Sequence, residues 1–217
     1  MQSIYAAEHL ALQQEFGTTK LAALLDQAII HAQFTPEEQA FVASRDMFFL
    51  SSVDPEGEPT VSYKGGPYGF VTVLDACTLI FPGYDGNGMF YSMGNIVGQR
   101  RVGLLFIDFE NPHRMRVQGT AALLREHPLL AIYPEAQYLV RVDVNRIWVN
   151  CPRYVHRYEK ARQSKYVPQV PLETPFAVWK RIDTLQHVLP ETAQITARAL
   201  GLITFAEYEA MVARGEG

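Results

Sequence analysis

Lys64 closes a strand-like run, Thr60-Val61-Ser62-Tyr63, and is followed at once by Gly65, Gly66, Pro67 and Gly69. A cation at the end of such a run is either a solvated lysine before an ordinary turn or a point where backbone meets an anionic ligand. Ser62 and Lys64 share a face, because side chains two apart along a strand point the same way. Tyr91 and Ser92 stand where "MFYSM" runs into a possible short helix, "GNIVGQR", that ends on Arg100 and Arg101. Arg114 and Arg116 share a face further on. Ammonium, guanidinium, hydroxyl and the free N–H groups of a helix start are the donors a phosphate requires. Each charge-assisted hydrogen bond contributes roughly 1.5–3 kcal/mol net, so three or four would hold a phosphate firmly. Spacing alone leaves solvated surface as the competing reading, and it does not identify the ligand.

Other reactive side chains give weaker signals. Cys77 and Cys151 lie too far apart for a metal knuckle or a disulfide framework. Cys151, between Asn150 and Pro152, reads as a reactive thiol or, in preference, as a small buried hydrophobe. Cys77 reads as a core or turn residue. Arg153, His156 and Arg157 are either an anion-binding group or, in preference, solvated loop. The six histidines show no metal-ligand spacing, so no metal is expected.

Three regions position these residues. Residues 1–44 read as a helical extension. Leu21, Leu24, Leu25, Ala28 and Ile29 recur at helical spacing, and Thr35-Pro36-Glu37-Glu38 forms a capping box that starts a helix ending near Ala43. Residues 45–158 read as β: "MFFLSSV", "TVSYKG", "FVTVLD", "TLIFPG", "MFYSM", "RVGLLFIDF", "RMRVQGTAALL" and "QYLVRVDVNRIWVN" are about eight strands joined by short turns such as "DPEGEP" and "GYDGNG". Short connections argue an antiparallel barrel or sandwich rather than a parallel sheet. "HPLLAIYP" reads as a brief helix between prolines. Residues 159–217 begin with a proline-rich stretch, "QSKYVPQVPLETP". They end in two helices, "PETAQITARALG" and "TFAEYEAMVAR", the second opened by a capping box from Thr204 to Glu207. These helices are expected to pack on the barrel or on a dimer.

The composition, 48% hydrophobic and 19% charged, suits a globular chain with a real core. A net charge of −4 gives no overall attraction to nucleic acid or to an anionic membrane. Met1 to Leu12 contains no apolar signal-peptide core, and no apolar run reaches the length of a membrane span. A cytoplasmic protein is the expectation.

From Arg45 to Asn150 the chain resembles the pyridoxamine 5′-phosphate oxidase-like family of flavoproteins. The resemblance rests on five stretches in order: "RDMFFLSSVDPEGEPTVSYKGG", "GYDGNGMFYSMGNI", "RRVGLLFIDFE", "RMRVQGTA" and "WVNCPRYVHRY". It implies an FMN-binding split β-barrel with flanking helices, and a homodimer with two FMN sites at the subunit interface. By the same resemblance Val61, Ser62, Tyr63 and Lys64 line the flavin and reach its phosphate, with Gly65 beside them. Tyr91 and Ser92 match the family's tyrosine–threonine/serine pair. Asn95 and an arginine after it, Arg100 or Arg101 with Arg101 preferred, stand at a further phosphate-binding position. Arg114, with Arg116 as second choice, approaches the flavin, and Trp148 and Asn150 reach the partner subunit's cofactor. Ring positions are expected to be met largely by backbone, with the glycines of "KGGPYG" allowing close approach and unusual φ.

The resemblance implies an FMN-dependent oxidoreductase acting on a small molecule, with a nicotinamide (NAD(P)H) or oxygen as redox partner. It departs from the oxidase itself near the end. The oxidase carries Arg-x-His for its substrate's phosphate; here Arg153-Tyr154-Val155-His156 is one residue longer, and about sixty residues follow. Pyridoxamine phosphate oxidation is therefore not implied, and no catalytic acid or base is assigned. Split-barrel relatives also use the deazaflavin F420 or handle haem, which is the alternative cofactor reading. A third, non-enzymatic reading takes the C-terminal helices as a flavin-sensing helix-turn-helix. Glu207, Glu209 and nearby Glu216 against Arg214 make a poor surface for phosphates, so a helical cap is preferred.

Overall fold

Burial along the first strand, β1 (Met47–Val53), alternates strictly: Phe48, Leu50 and Ser52 are buried while Phe49 and Ser51 look the other way. That period of two fixes which face of the sheet is core. The computed structural model describes residues 3–217. Six further strands follow: β2 (Pro59–Gly65), β3 (Thr72–Asp75), β4 (Thr78–Gly83), β5 (Arg101–Asp108), β6 (His113–Leu124) and β7 (Tyr138–Asn150). They form one antiparallel sheet in the order β2-β1-β5-β6-β7-β4-β3. With the flanking helices this is the split-barrel architecture. The sheet curls on itself: the rings of Phe48 on β1 and Phe81 on β4 are 5.0 Å apart across the core, although three strands separate β1 from β4 in the ladder. Phe106 and Phe70 also pack on Phe48, at 5.2 and 5.8 Å.

Among the described residues there are seven strands, not the eight expected. The missing one is "MFYSM". Phe90 adopts a left-handed conformation, φ 49°, and helix α4 (Tyr91–Gln99) starts directly after it, running through the segment read as one or two helical turns. Before the sheet come α1 (Ala7–Glu15), α2 (Thr19–Ala28) and α3 (Pro36–Ala43), the helices of the apolar spacing and the capping box. The Thr35 hydroxyl accepts from the Glu38 N–H, and the Glu38 carboxylate accepts from the Thr35 N–H. Glu38 also accepts from His31 at 2.9 Å, and His31 exchanges two backbone hydrogen bonds with Ile147 on the half of β7 that β4 leaves uncovered.

Two structural units divide the chain, one up to Arg162 and one from Gln163 onward. The second holds two short 3₁₀ turns, α5 (Glu191–Leu200) and α6 (Phe205–Ala213). In it, Gln186 donates to the Lys180 and Ile182 carbonyls, Arg181 donates to the Gly201 carbonyl, and a bridge joins Ile182 to Ile203. The Thr204–Glu207 capping box is present as read. No helix among the described residues is long and apolar enough to cross a membrane.

Candidate functional site

The residues singled out in the sequence divide between the two faces of the sheet. In the β1–β2 register, Phe48 faces Lys64, Leu50 faces Ser62 and Ser52 faces Thr60. Lys64, Ser62 and Thr60 therefore lie on the core-facing side, at the edge where the barrel opens. Helix α4 closes over that edge, with Met93 and Ile96 sunk into the core. Between them lies a cleft of about 280 Å³, lined by Thr60, Ser62, Lys64, Tyr84, the Gly86–Gly88 turn, Phe90, Tyr91, Ser92 and Tyr138. Four sequence-predicted residues, Ser62, Lys64, Tyr91 and Ser92, thus share one cavity.

Its donor groups are of the kind that could hold an anion. Lys64 makes no hydrogen bond or ion pair among the described residues, and its partial burial lowers its pKa below the ordinary lysine value. A desolvated ammonium without a counter-charge is unfavourable unless a ligand provides one. The Ser92 hydroxyl donates to Ser62 at 3.1 Å, so two hydroxyls stand together. The first turn of α4 has no side-chain cap, which leaves backbone N–H groups and the positive end of the helix directed to the same region. The left-handed Phe90 makes this possible by reversing the chain just before the helix. For a residue with a Cβ this conformation costs about 1–2 kcal/mol, and such strain concentrates at functional sites. The opposite wall is aromatic. Tyr138 lies over Gly83, where a Cβ would come within 2.0 Å of its ring. Tyr84 has its phenol pushed up to about 12, by burial first and then by Tyr133 and Glu135. Tyr91 donates its phenol proton to Asp54 at 3.1 Å, tying the β1–β2 turn to α4; this bond is the main cause of its raised pKa.

Asn95 does not reach the cleft. It is 6% exposed and donates to the Ser52 hydroxyl at 3.2 Å beneath the helix. Val61 and Tyr63 point to the outer face and are 66% and 62% exposed. On that face a row runs Tyr63–Phe49–Leu105–Arg116–Trp148 through the register of four neighbouring ladders. Arg116 lies over the Trp148 ring at 5.9 Å, and burial followed by nearby Arg114 lowers its pKa. Arg114 and Asn150 face each other in the next row. Arg114 Nε and Asn150 Oδ1 are both buried and without a partner. Arg101 lies on the outer face too, in a different cavity from Lys64.

The glycines of "KGGPYG" have mostly another explanation than ligand approach. A Cβ on Gly65 would meet the Tyr63 ring at 2.7 Å, and one on Gly66 the Phe70 ring at 2.4 Å. The protein's own aromatics fill those spaces, and of the three only Gly69, φ 76°, needs left-handed backbone. Cys151 is exposed, against the preferred reading of a buried hydrophobe, because the strand ladder ends at Asn150. Cys77 sits in the β3–β4 turn, where its N–H donates to Asp75. Arg157 is taken up by the Glu110 carbonyl and Arg153 lies over Tyr154, so no shared anion site forms there. No group of three metal-ligating side chains occurs among the described residues. Sequence reasoning missed Thr60, Tyr84, Phe90 and Tyr138; the glycines flanking Tyr84 marked only a turn, and nothing local tied Tyr138 to it.

A family model described as pyridoxamine 5′-phosphate oxidase matches residues 34–178. Among solved structures, a Lactobacillus delbrueckii protein provisionally described as a pyridoxamine 5′-phosphate oxidase is 24% identical; the match covers 54% of this chain and 95% of that one, with a TM-score of 0.45. HupZ of Group A Streptococcus is 18% identical over 58% of this chain and 99% of that one, with a TM-score of 0.44. An FMN-binding protein from Syntrophomonas wolfei subsp. wolfei is 14% identical over 65% and 95%, with a TM-score of 0.41. No curated protein sequence matches.

Proposed function

The chain belongs to the pyridoxamine 5′-phosphate oxidase family, and from that premise we propose that it is an FMN-binding flavoprotein, an oxidoreductase acting on a small molecule in the cytoplasm. The observation that carries this reading is Lys64, a partly buried ammonium with no counter-charge, beside the Ser62–Ser92 hydroxyl pair and the uncapped start of α4. That donor set fits a phosphate monoester. The aromatic wall of Tyr84, Phe90 and Tyr138 fits a flat, apolar neighbour.

In this reading Lys64 neutralises the phosphate, and Ser62, Ser92 and the helix N–H groups orient it. When bound, FMN supplies a ring that accepts a hydride or electrons and passes them on. At about 280 Å³ the cleft falls just below the usual range of roughly 300–1,000 Å³ for small-molecule pockets, so one chain encloses little. We therefore propose a homodimer, with Arg114, Arg116, Trp148 and Asn150 of a second copy completing the site. Val61 and Tyr63, large apolar side chains exposed on that face, support a neighbour that covers them. NAD(P)H or oxygen would be the redox partner.

Purified protein should be yellow, or become so on reconstitution with FMN, and sediment as a dimer. A colourless protein that FMN titration leaves unchanged refutes the proposal. A deazaflavin or haem spectrum keeps the fold and replaces the cofactor.

A further inference from the structure

A cavity larger than the Lys64 cleft lies on the other face of the sheet. It is a groove of about 690 Å³ lined by Ser51, Arg101, Gly103, Gln118, Asn145 and Arg146, among others. The register explains it. One row across the sheet runs Ser51–Gly103–Gln118–Arg146, beside the bulky row Phe49–Leu105–Arg116–Trp148. A missing side chain at Gly103 makes the floor: a Cβ there would have only the Ser51 Cβ near it, at 3.7 Å, and would point into open space. The shift in pairing between Gln118 and Gly119 leaves Asn145 as an extra residue on β7, so Asn145 and Arg146 both line the groove.

The charge is one-sided. No carboxylate lines the groove, and neither Arg101 nor Arg146 makes a hydrogen bond or ion pair among the described residues. Asp143, the acid opposite Thr120 in the register, is occupied by Arg141 at 2.7 Å. In a chain of net charge −4, two free guanidiniums over an amide- and hydroxyl-lined floor are not a by-product of bulk composition. Arg101 and Arg146 are two strands apart and offset by two pairs along the ladder, since Arg146 is level with Gly103, which puts their Cα atoms about 12 Å apart. Guanidinium forks reaching inward from that separation suit two anionic groups on one molecule better than a single ion.

We infer that this groove binds a small dianionic molecule, its two carboxylate or phosphate groups held by Arg101 and Arg146 and its middle lying over Gly103. This site is separate from the Lys64 cleft and does not depend on a flavin.

The test is calorimetric titration of the full chain at low salt with glutarate, citrate and inorganic pyrophosphate, which separates carboxylate from phosphate preference. At least one should bind saturably. Arg101→Gln and Arg146→Gln should each weaken that binding about tenfold or more. Gly103→Leu, which fills the floor without a strained backbone, should abolish it, and Lys64→Gln should leave it unchanged. Binding by none of the probes overturns the inference, as does equal binding by all variants. Loss with Lys64→Gln would move the anion to the other cleft. If Gly103→Leu instead converts a dimer to a monomer in sedimentation, the groove is a subunit contact and the inference fails.

Discussion

Replacing Lys64 by Met tests the cleft in two opposite directions at once. In the protein without ligand, Lys64 is desolvated and unpaired, and its pKa is lowered for that reason. The native state therefore binds its proton less tightly than the unfolded chain does, and the charged form opposes folding. Stability should accordingly rise with pH between the lowered value and the ordinary lysine range near about 10.4. Met keeps much of the aliphatic stem and removes the charge, so the ligand-free variant should unfold at equal or higher temperature and lose that pH-dependent rise. Flavin binding should move the other way. One charge-assisted hydrogen bond to a phosphate is worth roughly 1.5–3 kcal/mol, or about 10- to 150-fold in Kd. Quenching of flavin fluorescence during titration reads the Kd, and a thermal melt without flavin reads the stability. Wild-type affinity should also fall as pH rises through the lysine's lowered pKa, a dependence the variant should lack. Unchanged flavin affinity, or a ligand-free variant clearly less stable than wild type, would refute the reasoning.

Three further outcomes follow from the same geometry. Ser62→Ala or Ser92→Ala removes one of two touching hydroxyls and should weaken FMN binding by about 0.5–1.5 kcal/mol, some 2- to 12-fold in the same titration, without lowering the melting temperature appreciably. Asn95→Ala should leave Kd within about twofold but cost about 1–3 kcal/mol in urea unfolding, since it strands the buried Ser52 hydroxyl. Asp108 is partly buried, which alone would raise its pKa, yet the Asn111 and Glu110 N–H groups and the Arg45 guanidinium at 3.1 Å outweigh that and lower it. Its stabilisation is therefore present above the ordinary aspartate range and lost as pH falls through the lowered value. Asp108→Asn should destabilise the protein by about 1–3 kcal/mol at neutral pH, with the gap in denaturant midpoint closing in strong acid.

Much of the scaffold was legible because it is written locally. Apolar runs bounded by turn residues marked β1 and β5, and the two Thr–Glu capping boxes placed the starts of α3 and α6 to the residue. Helix α4 was legible only from Gly94 onward; its first turn was not, because "MFYSM" imitates a strand and Gly94 and Gly98 weaken the helical signal. A left-handed Phe90 has no sequence signature, since that conformation is imposed by tertiary packing. Strand periodicity also paired Ser62 with Lys64 and Arg114 with Arg116 correctly, but it cannot say which face of the sheet each pair occupies. Only the ladder register shows the candidates divided, with Lys64 behind the sheet and Arg116 and Trp148 in front. The glycines after Lys64 misled for a related reason. What fills the space beside them, Tyr63 and Phe70, depends on contacts that spacing does not encode.

Strand β2 is hydrogen-bonded to β1 alone, and its other border is open. Displacing it would break its own ladder and the contacts from α4, Ser92 to Ser62 and Tyr91 to Asp54, but no other strand pairing. The two walls of the cleft thus differ in their support: Lys64 and Ser62 stand on an edge strand, whereas Tyr138 stands on a strand paired on both sides. A guest thicker than the resting gap would displace the wall with one neighbouring strand before the wall with two.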